Sequence, residues 1–141
     1  MLAHWSRIPD GPLSEVQAAA LPMVIETAAR YLACSGVRAR QTLLVNGAGT
    51  MVGFVAVQMA LRLQGVKVVA MAGETFAEVL REMEGVVGVV GYGEGLVERV
   101  RDLLEARMGD AVLDAAPVAV GLQGASALPE LVEITEGEVK R

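Results

Sequence analysis

One cysteine, Cys34, and one histidine, His4, are all that the chain has of two common metal-ligand types. A single cysteine excludes an intrachain disulfide, and one of each puts an ordinary zinc site of Cys and His ligands out of reach. Cys34 is accordingly read as a small buried apolar residue. Aromatic residues make up only 4% although hydrophobic residues reach 53%, so the apolar content is mostly Ala, Val and Leu. Lys and Arg number 12 against 17 Asp and Glu, a formal net charge of -5. Neutralising phosphates along a backbone needs a basic excess, so this balance excludes a generic nucleic-acid binder. A membrane span needs about 18 apolar residues without a charge. The longest apolar candidates, near Val66 to Gly73 and Ala111 to Leu122, are interrupted or bounded by Lys67, Glu74 and Asp114. The opening residues, with His4, Trp5, Arg7, Pro9 and Asp10, lack the basic start and apolar run of a signal peptide. These absences lead to the expectation of a cytoplasmic protein without a nucleic-acid or membrane partner.

What is present is alternation. At 141 residues the chain fits one domain, which can bury about two thirds of the surface that its unfolded form exposes. After an irregular segment marked by Pro9, Gly11 and Pro12, Ser14 starts a short capped helix, and Pro22 opens a second helical stretch that ends at Gly36. Thr42 to Asn46 reads as a strand and Met51 to Gln64 as a helix closed by Gly65. Val66 to Met71 reads as a second strand, followed by a helix from a Thr75 cap through Met83. A third strand over Val86 to Val90, a helix over Gly95 to Met108 with Glu98, Arg99 and Arg101 on its wet side, and a fourth strand over Ala111 to Asp114 follow. A last helix is expected near Ala127 to Ile134. Short strands alternating with helices imply parallel pairing, hence an α/β, Rossmann-type doubly wound parallel sheet. The division expected is an opening segment with leading helices over 1–35 and a partial dinucleotide-binding domain over 36–141. The alternation stops after four strands where this fold class has six, so truncation after the fourth is expected.

The turn Gly47-Ala48-Gly49-Thr50-Met51-Val52-Gly53 leaves a strand and opens a helix, the context a phosphate-binding turn requires. Gly47 and Gly49 allow a pyrophosphate to approach the main chain, where free N–H groups at the helix start can donate to it. Gly53 lets the helix lie close on the strand. Thr50 can offer a hydroxyl to phosphate, and Met51 can simply pack. The alternative is a tight βα turn without a ligand. At the tip of the second strand, Met71, Ala72 and Gly73 put no carboxylate where NAD would need one for its ribose, which leaves room for a 2'-phosphate. Glu74 follows, placed to bind ribose or to cap the helix. Tyr31 and Tyr92, the only phenols, read as packing residues or cofactor-edge contacts. Asp114, at a strand end, reads as fixing a loop rather than acting as a base. No residue is assigned a catalytic role.

Taken together, AAALPM at Ala18 to Met23, GVRARQTLLVNGAGTMVGFVAVQMA at Gly36 to Ala60, VVAMAGE, YGEG at Tyr92 to Gly95 and VLDAAP at Val112 to Pro117 resemble the medium-chain dehydrogenase/reductase superfamily. The similarity is to its zinc-independent, quinone oxidoreductase-like branch. It implies NADP(H), expected over NAD(H), with the pyrophosphate over Gly47 to Gly53 and the adenosine ribose against Ala72, Gly73, Glu74 and Thr75. Tyr92 is counted among the cofactor-binding residues, and Ala115, Ala116 and Pro117 are placed towards the nicotinamide. Two departures stand out: the turn has Thr50-Met51 where members are richer in glycine, and Phe76, Ala77 and Glu78 stand where many carry a basic residue.

The function expected is thus the cofactor-binding domain of an NADPH-dependent oxidoreductase, inactive alone because a catalytic domain is absent. The alternative is a non-catalytic Rossmann-fold binding or interaction module. Self-association is expected through an exposed sheet edge or through surface meant for the missing domain. A short-chain reductase would want a Tyr-x-x-x-Lys pair and a methyltransferase-like enzyme an acidic second-strand tip. Neither is here.

Overall fold

The computed structural model describes residues 10–105 and 111–115. Helix α1, Glu15–Ser35, begins at Ser14, whose hydroxyl accepts the Gln17 N–H while the Gln17 side chain accepts the Ser14 N–H, a reciprocal cap. It ends on Gly36 at φ 69°, the left-handed angle that closes many helices. Here the two expected helices are one, because Pro22 lies inside α1 rather than at a start. Pro22 is on the exposed side of the helix, where water can satisfy the carbonyl that its missing N–H leaves open. Val24 and Ala28 are the buried residues of this helix, with Leu32 packed against the same core. Cys34, two positions past Leu32 and so on the far side, is exposed rather than buried as expected.

The core is a four-stranded sheet of β1 (Thr42–Asn46), β2 (Lys67–Met71), β3 (Val86–Val90) and β4 (Ala111–Asp114). The strands run parallel in the order β3-β2-β1-β4, with Val45 opposite Ala70 on one side and opposite Leu113 on the other. Every residue of β1 is buried, as a parallel strand covered on both faces requires. Alternation sorts the side chains. Leu43, Val45, Val68, Ala70, Ala111 and Leu113 meet Ala28 of α1, Ala56, Val57 and Ala60 of α2 (Met51–Ala60), and Leu80 of α3 (Glu74–Arg81). Leu44, Val69 and Met71 meet Leu96, Val100 and Leu104 of α4 (Leu96–Glu105) on the opposite face. The doubly wound α/β sheet read from the alternation is therefore present.

Element ends differ by small amounts. α2 stops at Ala60, with turns rather than helix from 61 to 65. The α3 N-cap is Gly73, not Thr75, and it makes no side-chain cap bond. α4 starts at Leu96; Glu98 and Arg99 are exposed, whereas Arg101 is half-buried. The helix expected near Ala127 to Ile134 lies outside the described residues. Because β2 lies on one side of β1 and β4 on the other, the chain changes direction at β1, and the carboxyl ends of these strands border the crevice where this architecture binds ligands.

Candidate nucleotide site

The turn after β1 lies at that crevice. Gly47 takes φ 76°, an angle that costs a side-chain-bearing residue and not glycine. Its carbonyl accepts the Thr50 N–H at 2.9 Å. The Ala48 N–H donates to the Met71 carbonyl at the tip of β2 at 2.9 Å, and Ala48 is fully buried. Gly53, on the first turn of α2, lies so close to this loop that a Cβ there would sit 2.0 Å from the Gly47 oxygen. The helix thus approaches the strand end as the glycine spacing implies.

Thr50 is the N-cap of α2. Its hydroxyl oxygen accepts the Gly53 N–H at 3.0 Å, and its proton faces the Gly47 carbonyl at 2.8 Å and the Ala115 carbonyl at 3.2 Å. A hydroxyl with one proton and these partners is committed to the turn; donating to a phosphate would require giving up a carbonyl. The N–H groups of Gly49, Met51 and Val52 have no hydrogen-bond partner among the described residues. They are the open donors that a helix start leaves, and the positive end of the helix dipole adds to their attraction for an anion. The Met51 side chain is exposed and Val52 packs against the core.

A cleft of about 280 Å³ continues from the turn to the tip of β2, lined by Gly47, Gly49, Thr50, Ala72, Gly73, Thr75, Phe76 and Tyr92. Of the residues read from the sequence, Gly47, Gly49, Thr50, Ala72, Gly73, Thr75 and Tyr92 are brought together here. Glu74 is exposed on the first turn of α3 and is not part of the lining. Ala115 stands beside α2, its N–H donating to the Asn46 carbonyl at 2.9 Å; Ala116 and Pro117 lie outside the described residues.

Two lining or supporting residues were not picked out as site residues. Phe76 packs its ring near Phe54, with centroids 6.0 Å apart, and comes within 3.3 Å of where a Gly49 Cβ would be. Asn46 is buried at 1% exposure, and its Nδ2 donates to Asp114 Oδ1 at 2.9 Å. Asp114 thereby ties the end of β4 to the end of β1. Tyr92 is raised above the usual phenol pKa of 10.0, first by burial and also by the Asp114 charge, against the lowering effect of the Gly47 N–H.

No protein-family model and no curated protein sequence matches the chain. Solved structures do match. A mycobacterial quinone oxidoreductase is 28% identical, with a TM-score of 0.57 over 75% of this chain and 33% of its own. A mycobacterial protein solved in complex with NADPH is 28% identical, with a TM-score of 0.60 over 76% of this chain and 34% of its own. A cyclopropanase from the curacin A biosynthetic pathway is 26% identical, with a TM-score of 0.63 over 75% of this chain and 32% of its own. The chain spans about a third of the length of these structures. The resemblance to quinone oxidoreductases and related medium-chain dehydrogenase/reductase enzymes is borne out. No helix among the described residues is long and apolar enough to cross a membrane.

Proposed function

We propose that this chain, which has the cofactor-binding fold of the medium-chain dehydrogenase/reductase enzymes, binds a nicotinamide dinucleotide with its pyrophosphate over Gly47 to Gly53. The observation that carries this reading is that the N–H groups of Gly49, Met51 and Val52 at the start of α2 have no hydrogen-bond partner among the described residues. They adjoin a cleft that leads to the tip of β2. Such a helix start favours an anion by both hydrogen bonding and dipole. Ala72, Gly73 and Thr75, which line the cleft, then meet the adenosine ribose, and Ala115 marks the nicotinamide side. NADP(H) is preferred over NAD(H), since Ala72 and Gly73 put no carboxylate in the cleft where a ribose diol would be held.

The dinucleotide supplies hydride chemistry, and the protein binds and orients it. In a complete enzyme of this kind the hydride passes to a quinone, enone or similar electrophile, and a catalytic domain selects that substrate.

Calorimetric titration with NADPH and NADH at two salt concentrations tests this. Saturable binding, tighter for NADPH and weaker at high salt, is expected. Tighter NADH binding would assign the ribose to Glu74 instead. Absence of binding at millimolar nucleotide would refute the cofactor reading and favour a non-catalytic interaction module, for which β4 offers an edge that no described strand pairs.

A further inference from the structure

Tyr92 stands 45 residues beyond Gly47, yet its hydroxyl oxygen accepts the Gly47 N–H at 2.9 Å. The same oxygen lies 3.1 Å from Asn46 Oδ1 and 3.2 Å from the Met71 carbonyl. Direction along this chain of groups follows from donor counting. A carboxylate only accepts, so the Asp114 Oδ1 atom selects the NH₂ side of the Asn46 amide, at 2.9 Å. That leaves Asn46 Oδ1 facing Tyr92 as an acceptor, and the phenol proton points to it or to Met71. The lone pairs of the phenol are then available to the Gly47 N–H. The run from Gly47 through Tyr92 and Asn46 to Asp114 is a polarised series in which each bond strengthens the next. Arg99 supports it from the other side: its guanidinium donates to the Gly91 and Glu94 carbonyls, each at 2.8 Å, closing the loop that carries Tyr92.

We propose that Tyr92 is a positioning residue for the phosphate-binding turn. Its hydroxyl, oriented by Asn46 and Asp114, engages the Gly47 N–H and holds the turn so that the Gly49, Met51 and Val52 N–H groups stay open. This rests on the reading of the turn as a pyrophosphate site. On it, Tyr92 contributes to affinity through Gly47, equally for any ligand that carries a pyrophosphate, rather than through a contact with the nucleoside.

Tyr92→Phe deletes the hydroxyl and keeps the ring that packs against the core on the α4 face of the sheet. In the full chain, the Gly47 amide is expected to exchange with deuterium about tenfold faster, the loss of one net hydrogen bond. Inorganic pyrophosphate, ADP and NADPH are each expected to bind about tenfold more weakly, by a common factor, with the NADPH to NADH ratio unchanged. Unaltered Gly47 exchange would overturn the proposal, and so would a loss confined to NADPH with pyrophosphate binding intact. If the unsubstituted chain binds none of the three probes, the proposed function fails, and Gly47 exchange alone decides the positioning role. Replacing both tyrosines with 3-fluorotyrosine lowers the phenol pKa without deleting the hydroxyl. The Gly47 amide resonance is then expected to titrate with the same midpoint as the Tyr92 fluorine resonance; different midpoints would overturn the proposal.

Discussion

Substituting Gly53 with alanine tests the closeness of α2 to the turn directly. The added Cβ would lie 2.0 Å from the Gly47 carbonyl oxygen, 2.8 Å from its carbon and 3.0 Å from the Ala48 Cα. Ordinary contact starts at 3.4 Å, so α2 must withdraw by about 1.4 Å or the turn must open by as much. All three obstacles are backbone, so no rotamer change relieves them. Overpacking of this kind costs about 3 kcal/mol, the upper part of its usual range. Withdrawal also strains the bond from the Gly53 N–H to the Thr50 hydroxyl, a cap worth about 1 kcal/mol. Alanine returns about 1 kcal/mol through helix propensity. A net loss of about 3 kcal/mol remains, a large fraction of the stability of a small domain. In urea unfolding, with m near ~2 kcal/mol/M, the midpoint falls by about 1.5 M. Gly91→Ala is the control, because a Cβ there meets nothing within 4 Å. A Gly53→Ala midpoint equal to or above that of the unsubstituted chain would refute the close approach.

Two further outcomes follow from the same geometry. Thr50→Val keeps the shape of the side chain but removes the α2 cap and the link to Ala115; a loss of about 1–2 kcal/mol in urea unfolding is expected, with Thr50→Ser close to the unsubstituted chain. Burial raises the Tyr92 phenol pKa above 10.0, the Gly47 N–H opposes the rise and the Asp114 charge adds to it. The fold therefore favours the neutral phenol: this stabilisation is complete below about pH 10 and is lost as pH climbs through the raised folded value. Urea midpoints between pH 8 and 11 should fall more steeply for the unsubstituted chain than for Tyr92→Phe, and parallel curves would contradict the assignment.

The strands were legible because each is a short apolar run between polar or glycine punctuation, and Thr42–Asn46 and Val86–Val90 occur where they were read. Gly53 was legible for the same reason, since its spacing after the strand already implies close packing. Pro22 misled because proline marks a helix start only where its neighbours do not continue the helix through it; on the exposed side of α1 they do. Cys34 misled because residue type alone carries no phase, whereas the spacing of Val24, Ala28 and Leu32 assigns it to the outer face. Asn46 and Phe76 carried no local signal. The bond from Asn46 to Asp114 spans 68 residues, and only the parallel pairing of β1 with β4 brings the two together.

That long-range pairing also explains how the turn is held in one geometry without being rigid by composition. A glycine-rich segment is the part of a chain with the most conformational freedom to lose, so its geometry has to be imposed from outside. Here the restraints arrive from three other strand ends. Met71, at the tip of β2, accepts the Ala48 N–H; Tyr92, after β3, accepts the Gly47 N–H; and Ala115, after β4, lies within reach of the Thr50 hydroxyl. Each restraint occupies a donor or acceptor at the root of the turn, and none occupies the N–H groups of Gly49, Met51 or Val52. Satisfying the root while leaving the crest open holds the donors in place before a ligand arrives, so less ordering is left for binding to supply. On the proposed reading of the turn as a pyrophosphate site, its capacity for an anion thus depends on the whole four-stranded sheet, and a change at Asn46 or Asp114 should reach it as surely as a change in its own glycines.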